Sequence, residues 1–254
     1  MDLPGILAPM LSGDFALVAL AALLAGIVRG FSGFGTALVF LPIAGIVLDP
    51  VSAVATVALM DLAGPVPVLI RVRKDVHGRD LARLVVGAII ALPLGLFLLT
   101  LVSSSVFRVT VSGISLAMLA LFMAGWRYRG ALPRWGVVSI GGASGFLGGI
   151  AGVPGPPVIF AYMASNKPAR VIRANISTYL YAYDWSVVVI LSLAGRIDLP
   201  LVVSGLVLTL PNMVGNLTGA ALFRPERERV FRAVAYVLIA GVALAGLPLW
   251  NWGE

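Results

Sequence analysis

The chain has 254 residues, 60 % hydrophobic and only 11 % charged, with a mean hydropathy of +1.03. A soluble domain carries about 25 % charge, so this composition excludes one and marks an integral membrane protein. The net charge of +7 and pI near 10.4 do not point to nucleic acid, because Lys and Arg sit in short loops between apolar runs, the positive-inside signature.

Strand-like alternation is missing, which excludes a barrel and leaves helices to cross. With no cysteine, disulfides, thiolate metal sites and thiol catalysis are excluded, and His77 alone is too little for a histidine metal site. No metal or cofactor is expected. No Lys or Arg precedes Arg29, so the basic n-region of a cleavable signal peptide is not seen.

Eight apolar segments follow in order: about 15–48, 51–70, 84–102, 107–125, 136–164, 171–194, 199–222 and 233–250. The first contains Gly-x-x-x-Gly-x-x-Gly at Gly26, Gly30 and Gly33. The fifth repeats it 119 residues on, at Gly145, Gly149 and Gly152, just before Pro154, Pro156 and Pro157. At the same offset Val39 meets Val158 and Ala55 meets Ala174. This predicts an internal duplication, 1–126 and 127–254, with a broken helix opening each half. Paired Gly/Pro-interrupted segments of this kind point to a transporter's binding site. Close helix packing by small residues also accounts for the glycines, though not for the prolines.

The loops decide the topology. Residues 71–83, 126–134, 166–173 and 223–232 are basic, whereas 1–14 and the break at Asp49 carry only acidic charge. Eight full crossings would split the basic loops between the two sides, against the positive-inside bias. Re-entrant hairpins in the first and fifth segments put all four on the cytoplasmic side. The first segment is also too long for one crossing of a 30 Å core, and two half-helices meeting at Gly30–Gly35 fit it better. Each half is then a hairpin plus three crossings, and the halves are inverted. The expected fold is an all-α membrane protein of two inverted repeats.

Arg29 is buried in the first segment, and a charge at that depth costs about 2.5–3.5 kcal/mol on insertion scales, so it faces a polar cavity or a partner. The glycine backbone of Gly30, Gly33 and Gly35, the Ser32 and Thr36 hydroxyls, and a half-helix starting near Gly35 complete an anion site. Gly152 and Gly155 supply the matching half-helix start. The competing reading pairs Arg29 with Asp61 or lets it snorkel to an interface. Asp61 and Asp184, mid-segment carboxylates, are proton-coupling candidates or structural ion partners. Asn175 and Tyr179, with Tyr183, share a helix face, and Asn212 and Asn216 form a smaller stripe; both line a passage or hydrogen-bond between helices. Gly30-Phe31-Ser32-Gly33 matches the Gly-x-Ser-Gly of intramembrane serine proteases, but no histidine is placed to serve as base, so an enzyme is not expected.

The stretches GIVRGFSGFGTALVFLP and GGASGFLGGIAGVPGPPVIF, the latter followed by NKPARVIRANIST, resemble the two glycine-rich openings of the sulfite exporter TauE/SafE family. The copies differ from each other at Phe34-Gly35-Thr36 against Val153-Pro154-Gly155. The resemblance implies secondary transport, in a bacterial inner membrane, of a small anion such as sulfite, thiosulfate or a sulfoacetate-like sulfonate. A non-sulfur carboxylate, or a membrane scaffold that transports nothing, are the alternatives. The partners implied are the anion, the lipid bilayer and a coupling proton or cation; homo-oligomerisation is left open.

Overall fold

The structure, a computed structural model, describes residues 13–32, 34–64, 66–124, 134–163, 165, 167–222 and 228–248. Among them are eleven α-helices: α1 (Gly13–Ser32), α2 (Thr36–Val47), α3 (Pro50–Ala63), α4 (Val66–Val72), α5 (Gly78–Leu99), α6 (Ser104–Met123), α7 (Arg134–Ala151), α8 (Gly155–Met163), α9 (Ala169–Leu193), α10 (Leu199–Leu222) and α11 (Glu228–Gly246). A short 3-10 turn, Arg73–Asp75, follows α4. Five of these, α1, α5, α6, α9 and α10, are long and apolar enough to cross a membrane. Exposed Ile89, Ile90, Leu94 and Phe97 on α5, and Leu210, Val214 and Leu217 on α10, offer acyl chains an apolar surface. The protein is an integral membrane protein.

Local chemistry sets the breaks. Gly35 lies at φ 99° and Gly152 at φ 68°, left-handed conformations that only glycine adopts cheaply; Gly35 sets the start of α2 and Gly152 ends α7. The first segment is two helices that meet between Ser32 and Thr36, and they are unequal. Its first limb, α1, runs 20 residues, roughly 30 Å, and only α2, at 12 residues, is short. The chain stays helical through Gly26 and Gly30 because a close neighbour covers them. The fifth segment is divided in the same unequal way, 18 residues in α7 and 9 in α8. The 51–70 stretch is also two helices rather than one. α3 begins with Asp49 accepting from the Val51 and Ser52 amides, both at 3.1 Å, and ends at Gly64, just before Pro65 in the sequence.

Two helix pairs pack backbone against backbone. On α1 and α10, a Cβ at Gly26 would strike the Asn212 carbonyl, one at Gly30 the Asn216 carbonyl, and one at Gly215 the Leu23 carbonyl. On α5 and α7, Gly87 lies on the Val138 carbonyl and Gly145 on that of Ala88. These are the most extensive helix contacts among the described residues, and α3 crosses both α9 and α10. α1 thus lies on α10, and α7 on α5.

The two ends of the bundle differ. At one, Asp14, Asp49, Arg196 and Asp198 line an open recess. At the other, Lys167 Nζ lies 2.5 Å from Asp80 Oδ2, Arg170 pairs with Asp75 at 3.6 Å, and His77 Nδ1 is 3.1 Å from Asp80 Oδ2. Basic residues of the 71–83 and 166–173 loops therefore meet at a single end. Arg108, inside the fourth apolar segment, donates Nε to the Gly246 carbonyl at 2.9 Å, satisfying the C-terminal turn of α11.

Candidate functional site

Both breaks open onto one cavity. α1 delivers Arg29 to it from its last turn, four residues before the chain leaves the helix. The left-handed Gly35 then turns the chain so that α2 starts at Thr36, beside that guanidinium. Arg29 Nη1 donates to Thr36 Oγ1 at 3.0 Å and forms a close ion pair with Asp61 Oδ2 of α3. Both partners of the pair are almost entirely buried, with side-chain exposures of 12 % and 11 %. Pairing within the protein, rather than snorkelling, is how this charge is carried at depth.

The second break is pinned from behind. Tyr179 OH donates to Ser144 Oγ at 2.7 Å, and Ser144 Oγ donates to the Pro154 carbonyl. Gly152 sits against Leu41 and Val54, where a Cβ would come within 2.5 Å of Leu41 Cδ1. α8 then starts at Gly155 on the cavity wall. The two helix N-termini facing the cavity are unequal. The first turn of α2 keeps the amides of Thr36, Ala37 and Leu38 as donors, whereas Pro156 and Pro157 remove two from α8.

α9 contributes Tyr183 and Asp184. Asp184 makes no hydrogen bond or ion pair among the described residues, and the Tyr183 hydroxyl and Asp61 Oδ1 are buried without a hydrogen-bond partner. Buried polar atoms left unsatisfied in this way are uncommon and call for a ligand or water. The rest of the lining is apolar, including Val57, Met118, Ile159 and Val187.

Of the residues singled out in the sequence, Arg29, Gly35, Thr36, Asp61, Gly152, Gly155 and Asp184 line this cavity. Gly33 lies outside the described residues, as does the side chain of Ser32. Gly30 backs onto α10. Asn175 accepts from the His77 amide at 2.8 Å and donates to Tyr162 OH at 2.7 Å. Tyr179 holds Ser144, and Asn212 donates to the Ala22 carbonyl at 3.2 Å. These three polar side chains join helices and do not line the cavity. Tyr183 does, and sequence reasoning placed it only in the stripe; its position one residue before Asp184 was the available signal. Ser144 carried no sequence signal.

The family model described as Sulfite exporter TauE/SafE matches residues 18–246, from the first turns of α1 to the end of α11. The chain belongs to this family. The match spans both broken hairpins and every element of the cavity, and it makes this TauE/SafE protein a membrane transporter, with a small-molecule substrate and the lipid bilayer as its partners. No curated protein and no solved structure matches the chain.

Proposed function

We propose that the cavity is the substrate site of a secondary transporter for a small anion, and that the anion is a sulfur oxyanion or a sulfonate. The observation that carries this is the convergence of the α2 N-terminus, the Arg29 guanidinium and an unsatisfied tyrosine hydroxyl on one cavity. A helix N-terminus carries about half a positive charge and free amides, the two things an oxyanion needs. Membership of the TauE/SafE family supports the sulfur chemistry.

The reading extends to architecture. Residues 1–126 and 127–254 are inverted repeats, their hairpins re-entrant, in a bacterial inner membrane. The exchanged packing of α1 on α10 and α7 on α5 supports this, as does the meeting of Lys167 with Asp80.

Flux in proteoliposomes tests the function. Labelled sulfite, thiosulfate or a sulfonate should cross, and acetate should compete weakly. Transport of carboxylates alone would discard the sulfur assignment, and no flux of any anion would leave a scaffold. Topology is tested with single cysteines, which the cysteine-free chain accommodates cleanly. Lys167→Cys and Lys74→Cys should both react with an impermeant maleimide from the cytoplasmic side only. Labelling from opposite sides would restore eight full crossings.

A further inference from the structure

Resting on the anion-transport reading, we propose that the substrate is a monovalent anion with a short apolar tail, and that it binds by displacing Asp61 from Arg29 as a proton enters the cavity. The charge inventory motivates this. One guanidinium faces two carboxylates, Asp61 and Asp184, and no other cation lines the space among the described residues. Asp61 already occupies Arg29 as an intramolecular anion.

An anion that reaches Arg29 must take the place of Asp61 Oδ2. If Asp61 stayed ionised, the anion and the Asp61 carboxylate would share an apolar cavity with a single positive charge. Like charges repel strongly where water does not screen them, so that state is closed to the molecule. Protonation removes the obstacle. Asp61 takes a proton from solvent, its carboxylate becomes a carboxylic acid, and the freed Arg29 and the new O–H both donate to the incoming head group. Asp184 has no cation of its own, because Arg29 already matches Asp61, so it holds its proton before the anion arrives and takes up none on binding. Arg29 then balances one negative charge; a dianion would leave the cavity with an unmatched charge.

The groups facing Asp61 are few. α1 presents Arg29, α2 presents the Thr36 hydroxyl, and α9 presents Tyr183 and Asp184. α10, also packed on α3, has no titratable side chain, and Asp80 and Arg83 of α5 are engaged with each other, Asp80 also with Lys167. Three donors suit a head group of several oxygens: the Arg29 fork, the Tyr183 hydroxyl and the α2 amides. Val57, Met118, Ile159, Leu180 and Val187 supply an apolar wall that a bare inorganic anion leaves unused.

Calorimetry on the purified full-length protein tests this with propane-1-sulfonate, butyrate, methanesulfonate, sulfate and thiosulfate. Titrations in two buffers of different ionisation enthalpy count the protons taken up. Propane-1-sulfonate or butyrate should bind with net proton uptake and about tenfold or more tighter at about pH 6 than at about pH 8, and at least about tenfold tighter than either dianion. Asp61→Asn should bind with one proton fewer and a flatter pH dependence. Should that variant not fold, Asp184→Asn, which keeps Asp61, is expected to take up the same proton as wild type. Wild-type binding without proton uptake, or sulfate binding as tightly as propane-1-sulfonate, overturns the proposal while leaving anion transport standing. A folded protein that binds none of the five overturns the transport reading and this inference with it.

Discussion

Replacing Arg29 by alanine is expected to weaken anion binding by about 10- to 150-fold. A charge-assisted hydrogen bond in a dry site is worth about 1.5–3 kcal/mol, and 1.4 kcal/mol is about tenfold. Arg29→Lys should recover only part of the loss, because an ammonium lacks the planar fork that holds two oxygens. The ion pair with Asp61 adds a consequence for folding. Removing the arginine leaves a buried carboxylate without its partner, and breaking such pairs costs about 3–5 kcal/mol in soluble proteins. The two effects separate in the double variant Arg29→Ala with Asp61→Asn, which removes the orphaned charge. It should regain most of the melting temperature lost by Arg29→Ala and none of the affinity. A folded Arg29→Ala that binds as tightly as wild type would make the guanidinium a purely structural partner of Asp61, and the substrate site would lie elsewhere.

The second large effect concerns assembly of the helices. Gly26→Val and Gly145→Val should each abolish a monodisperse folded species on gel filtration in detergent. At both positions even a Cβ would overlap a backbone carbonyl, of Asn212 and of Ala88 respectively, and a backbone carbonyl has no rotamer by which to retreat. Overpacking a core costs about 1–3 kcal/mol when side chains can adjust; here whole helices must separate, so the cost lies at or above the upper end. Gly113→Ala and Gly241→Ala, which meet nothing within 4 Å, serve as controls and should elute as wild type. Folded Gly26→Val or Gly145→Val protein would mean that α1–α10 or α5–α7 contact is looser than the structure has it.

Much of this molecule was legible in the chain. Membrane residence follows from apolar composition summed over segments, and that sum needs no tertiary information. The helix breaks follow from glycine and proline, whose backbone effects are local; Gly35 and Gly152 act where they stand. Arg29, Asp61 and Asp184 stood out because each is a charge amid apolar residues, expensive wherever the chain folds. Sequence could not decide what each polar residue faces. Asn175, Tyr179 and Tyr183 lie on one helix face and read alike, yet the first two bond other helices while Tyr183 opens on the cavity. The glycines carried the same ambiguity, since Gly30 packs on α10 and Gly35 lines the site.

Segment hydropathy and the backbone limits of glycine and proline therefore determined by themselves that this chain is a helical membrane protein whose first and fifth segments are interrupted, whereas the break at Gly64 in the second was not read. Only the tertiary structure decided that Arg29 is held by Asp61, that both interruptions share one cavity, and that Tyr183 enters it. The reason is separation along the chain. Asn212 reaches Ala22 across 190 residues and His77 reaches Asn175 across 98, and a polar side chain has the same local signature whether it meets another helix or a ligand.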